Sequence, residues 1–200
     1  MKYETWPRLL VVDIEGNGVT PPDVVEVAAL PLHNGTPDTR TAGVWLIRPP
    51  VPVTPFASRV HKLTNEDLNS CPPWEEVREE VRAMLTGAWI CAHNAGVDYR
   101  VLARHLPGWE PPGVIDTLRL ARATYKEAPR HNLDALIQHT GLDLGQAPGQ
   151  RHRAAFDAYA TALLLLRMAE QYPTWEALVR AAVPPGLPGA PEPEQEPTLW

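Results

Sequence analysis

The stretch that most restricts the fold is residues 8–15, RLLVVDIE, a short β-branched apolar run that leaves into Gly16-Asn17-Gly18. It reads as a buried strand ending in a turn. Two more strand-like runs follow at residues 23–32 and 41–47, separated by the turn-rich Asn34-Gly35-Thr36-Pro37-Asp38. Together the three outline an antiparallel meander.

Downstream the periodicity changes. After Pro72-Pro73, the apolar residues Trp74, Val77, Val81, Met84 and Leu85 recur at helical spacing over residues 74–86. A short apolar strand is predicted over 88–92, and His93-Asn94 leads into a helix through about residue 106. Further helical patterns cover 116–125, 132–140, 153–171 and 174–182. Antiparallel strands followed by alternating helix and strand predict an α/β protein, a mixed β-sheet flanked by α-helices. A chain of 200 residues suits one catalytic domain, placed at 1–183. The Pro, Gly and Glu-rich remainder, 184–200, is expected to be a disordered tail.

Asp13 and Glu15 stand two apart at the end of the first strand, so both side chains project from one face. The pair alone says little, since composition yields about 0.7 Asp-x-Glu pairs by chance. His-x-Ala-x-x-Asp is more informative. It occurs twice, as His93 to Asp98 and as His152 to Asp157, against a chance expectation of about 0.04. Each Asp falls in the first or second turn of a predicted helix, so helix-borne and strand-end carboxylates could converge. Four converging acids repel unless cations join them, and all-oxygen ligands suit two Mg²⁺ or Mn²⁺ ions. A neutral imidazole is then a suitable proton acceptor for water, and His93 or His152 could serve. His152, after the loop-like residues 145–150, is only slightly favoured by these considerations.

Charge argues less clearly. Lys plus Arg total 18 against 24 Asp plus Glu, a net −6 that gives no basic footprint. Setting aside the three tail glutamates and the four candidate ligands leaves 18 bases against 17 acids. A phosphate chain is tolerable to such a body with metals bound, at modest affinity. Cys71 and Cys91 lack CxxC spacing, which argues against a zinc site or disulfide framework. No apolar run is long enough to span a bilayer and no leader pattern is present, so a cytoplasmic location without membrane contact is expected.

At these motifs the chain resembles the DEDDh, DnaQ-like group of 3′-to-5′ exonucleases, whose motifs run Asp-x-Glu, an Asp after His-Asn-Ala, then His-x-Ala-x-x-Asp. The match is in order and covers roughly residues 8–171. The resemblance implies a ribonuclease-H-like fold, Asp13, Glu15, Asp98 and Asp157 as metal ligands, and His152 as general base. It further implies that Ile14, His61, Leu63 and Asn94 border the terminal nucleotide. Ile14 stands where the family usually has Thr, and Val97 where it usually has an aromatic, which bears on how the terminal base is wedged. The implied activity is release of 5′-mononucleotides from DNA 3′ ends in repair or replication. RNA trimming by the same chemistry is the nearest alternative, and a non-catalytic nucleic-acid or clamp-binding module is the next. Arg151 and Arg153 are candidates for phosphate contact. The terminal QEPTLW resembles peptides that dock on the sliding clamp, with Gln195, Leu199 and Trp200 as the contacting residues.

Overall fold

Strand β1 (Leu9–Gly16) occupies the middle of a six-stranded sheet in a computed structural model that describes residues 3–192. Its neighbours are the antiparallel β2 (Val24–His33) and the parallel β5 (Trp89–Ala92). Beyond β2 lie β3 (Thr36–Pro37) and β4 (Gly43–Leu46), both antiparallel to it, and beyond β5 lies the parallel β6 (Val114–Asp116). The meander and the mixed sheet are those expected from sequence.

Helices cover both faces. One core joins Leu9 and Val11 to residues of α5 (Thr117–Thr124), α6 (Leu133–Thr140), α7 (Ala154–Ala169) and α8 (Trp175–Ala182). The other joins Leu10 and Val12 to α3 (Trp74–Leu85) and α4 (Gly96–His105). With both faces covered, β1 must be apolar at every position through Val12, as it is. Alternation then decides where the rest of the strand points. Asp13 and Glu15 continue the row of Leu9 and Val11 toward α7, and Ile14 continues the row of Leu10 and Val12 toward α4.

Several features differ from the sequence reading. Helix α1 (Pro55–His61) was not predicted; Thr54 caps it by accepting from the Ala57 amide, and Pro55 opens it. A four-residue helix, α2 (Asn65–Leu68), follows with a reciprocal Thr64–Asp67 capping box. The three-residue β6 is too short to show a period. The disordered segment predicted from Pro184 begins too early: the Val114 amide on edge strand β6 donates to the Pro188 carbonyl at 3.0 Å, and Leu187 packs on the second core. Gly189, at φ 78°, lies so close that a Cβ there would sit 2.8 Å from the Gly113 Cα, so backbone contact holds this strap to the sheet edge. Gln195, Leu199 and Trp200 fall outside the described residues. No helix among the described residues is long and apolar enough to cross a membrane.

Candidate active site

The outward-turning end of β1 carries Asp13 and Glu15, and the first turn of α7 brings Asp157 beside them. Carboxylate oxygens of these three all lie within 4.8 Å of one another. Asp98, in the first turn of α4, comes from the opposite face of the sheet and stands outside that tight group, though its charge acts on Asp13.

Such crowding opposes ionisation. Burial, then the charges of Asp98, Glu15, Asp157 and Glu26, push Asp13 well above the usual carboxylate range. Glu15 is pushed up to about 8, first by burial and then by Asp157 and Glu26. Burial raises Asp98 to about 7 despite hydrogen bonds from its own amide and that of Ile14. Asp157 is raised by burial too, with Arg151 and His152 opposing. Its Oδ1 is buried without a hydrogen-bond partner. A cluster of oxygen donors that resists ionisation and leaves one buried oxygen without a hydrogen bond fits a hard divalent cation, whose charge would reverse these shifts.

The elements are fixed by groups that sequence reasoning missed. Asp116 caps α5 by accepting from the Leu118 and Arg119 amides, and the same Oδ1 accepts the Asn94 amide at 3.0 Å. One carboxylate thereby ties the start of α5 to the left-handed Asn94 (φ 69°) just before the helix bearing Asp98. The Asp116-Thr117 pair heading a helical pattern was the available signal. His93 belongs to this frame, since its ring joins Thr117 Oγ1 and the His131 carbonyl.

His152 also has left-handed backbone, φ 61°, and its ring makes no hydrogen bond among the described residues. Neither arginine beside it is free for phosphate. Arg153 forks onto Glu26, while Arg151 is paired with Asp134 and lies 3.5 Å from Asp157 Oδ1.

Next to the acids opens a groove of about 260 Å³ lined by Ile14, Glu15, Phe56, Val60, His61, Val97 and Asp98. Phe56 is 72% exposed and Val97 45%, so apolar side chains stand in solvent beside a charged cluster. His61 is buried; its Nδ1 accepts the Leu63 amide, which leaves the proton on Nε2, and Nε2 finds no hydrogen-bond partner. Burial lowers its pKa, holding the ring neutral. Of the residues expected around the terminal nucleotide, Ile14 and His61 line this groove. Asn94 is exposed at its neighbouring turn, but Leu63 does not line the groove: it fills a small core with Val25, Val53, Ala57 and Leu68.

Residues 10–165 match a family model described as Exonuclease (RNase_T), and the chain belongs to that family, the DnaQ-like DEDD 3′-to-5′ exonucleases. Among solved structures, exonuclease X in complex with 5′-overhanging duplex DNA is similar at 30% identity and TM-score 0.72, covering 85% of this chain and 96% of that one. The PolC-type DNA polymerase III of Thermotoga petrophila is 32% identical over 170 residues, 80% of this chain and 12% of its own length. The 3′-5′ exonuclease DinG of Bacillus subtilis is 29% identical over 185 residues, 86% of this chain and 19% of its own. The chain thus spans only a small part of those two relatives.

Proposed function

We propose that the protein removes nucleotides singly from the 3′ end of DNA, hydrolysing each terminal phosphodiester to a 5′-mononucleotide. The observation that carries this reading is the cluster of Asp13, Glu15 and Asp157, whose Glu15 lines an apolar groove together with Asp98. Asp98 completes the ligand set for two Mg²⁺ or Mn²⁺ ions. Bound there, the ions would activate water and neutralise charge on the departing oxygen. The chain's own residues do the rest. Phe56, Val60, Val97 and Ile14 offer flat apolar surface to the terminal base, and His61 offers its Nε2 proton to a sugar or phosphate oxygen. His152 takes the proton from the attacking water as the P–O3′ bond breaks, and the departing 3′ oxygen takes up a proton from solvent, leaving the shortened strand with a 3′-hydroxyl.

DNA is favoured because exonuclease X, similar over nearly its whole length, is seen with duplex DNA. The clamp contact through Gln195, Leu199 and Trp200 rests on sequence alone; deleting 195–200 should abolish clamp pull-down while sparing activity on short oligonucleotides.

The test uses 3′- and 5′-labelled single-stranded DNA and matched RNA with Mg²⁺ or Mn²⁺, alongside Asp13→Ala. Stepwise shortening of DNA from the 3′ end by wild type, with the variant at least about 1,000-fold slower, supports the reading. Cutting of RNA alone reassigns the substrate, and no cutting with either metal overturns the nuclease function.

A further inference from the structure

We propose that Glu26, acting through Arg153, is a positioning residue for His152, with Arg151 as a second brace on its other side; the proposal rests on the exonuclease reading above. His152 is a β-carbon residue at φ 61°, a conformation that costs about 1 kcal/mol and persists only where the surroundings impose it. Its own ring does not impose it, having no hydrogen bond among the described residues. Its neighbours do. Arg153 Nε and Nη2 donate to Glu26 Oε2 and Oε1 at 2.9 and 2.8 Å, and the Ala154 amide donates to the same Oε2 at 3.0 Å.

Glu26 is 1% exposed, near the start of β2 and directly across the ladder from Glu15. Three donors on one buried carboxylate therefore set the start of α7 against the strand pair that bears Asp13 and Glu15. On the other side, the Arg151 guanidinium is paired with Asp134 of α6, approaches Asp157, and lies 5.6 Å from the Phe156 ring centre. With the Arg151 and Arg153 side chains both anchored, His152 is held from either side in the sequence.

A purely stabilising role fits poorly. Burying an ion pair is seldom better for stability than packing apolar side chains in the same volume. What apolar packing cannot supply is direction: the planar guanidinium fork fixes both distance and angle to a carboxylate, which an ammonium of equal charge does not.

That difference gives the experiment. Full-length wild type, Arg153→Lys, Glu26→Gln and the double variant are compared for kcat and KM on a labelled single-stranded oligonucleotide, for Mn²⁺ affinity by calorimetry, and for Ala154 amide exchange by NMR. Arg153→Lys, at a partly exposed site that tolerates it, should lower kcat about 10- to 100-fold while KM and Mn²⁺ affinity stay within about twofold. Exchange at Ala154 should quicken at least about tenfold in Glu26→Gln, and the double variant should be no slower in turnover than the worse single one. Wild-type kcat in Arg153→Lys overturns the proposal, as does a kcat loss matched by lost Mn²⁺ affinity. Should Glu26→Gln not fold, the lysine variant alone decides. Should wild type cut neither nucleic acid, it is the nuclease reading that fails, and Ala154 exchange in Arg153→Lys decides the brace, unchanged exchange overturning it.

Discussion

Glu15 and Asp98 are held at about 8 and about 7, far above the ordinary carboxylate values near 4. Between those limits the folded, metal-free protein binds more protons than the unfolded chain does. The two groups therefore favour folding most at low pH, and that contribution is lost as pH rises through about 7 and 8. Thermal unfolding of the metal-free protein should show Tm falling between pH 5.5 and 8.5, with Mn²⁺ reversing the fall; a flat profile would contradict the geometry of the cluster. Asp13→Asn should raise the metal-free Tm at pH 8 by several degrees while abolishing cleavage, because it replaces a buried acid whose ionisation folding opposes and removes a ligand with it. Metal affinity should climb over the same pH range. Calorimetry in two buffers of different ionisation enthalpy should detect about one or two protons released per binding event at pH 7.

Among the elements, α1 has the most exposed task. It presents Phe56 and Val60 to the groove while resting on a short helix whose first turn depends on the Thr54 hydroxyl. Thr54→Ala should cost about 1 kcal/mol of stability. Phe56→Ala should leave stability unchanged and raise KM about 5- to 20-fold with a smaller effect on kcat, as expected for loss of one stacking surface; an unchanged KM would remove Phe56 from the base site. What could be read in advance follows from how locally each element is specified. Asp13 and Glu15 were legible because strand alternation alone puts them on one face, and Asp98 and Asp157 because their motif recurs. Glu26 was not, since one acid inside the apolar run VVEVAAL becomes meaningful only when Arg153, 127 positions away, lands on it. Leu63 packs in the core while His61, two residues before it, lines the groove, a difference that the motif alone does not show. The strap at 187–190 reads as a tail because its attachment, one backbone hydrogen bond and the packing of Leu187, is not encoded by composition.

At the scale of the whole molecule, that strap predicts a truncation result. Ending the chain after residue 183 should expose the β6 edge and lower Tm by roughly 4 °C or more, since it removes the Leu187 packing and the Pro188 hydrogen bond. An unchanged Tm would place the stabilising contacts elsewhere. The Glu26–Arg153 link carries a different consequence. Because the fork, His152 and Asp157 all arrive with the last third of the chain, while their partners on β1 and β2 lie near its start, a chain still emerging from the ribosome holds only part of the cutting apparatus. The acid cluster is thus complete only when α7 lies against the β1–β2 pair, so its integrity reports on the fold from one end of the sheet to the other.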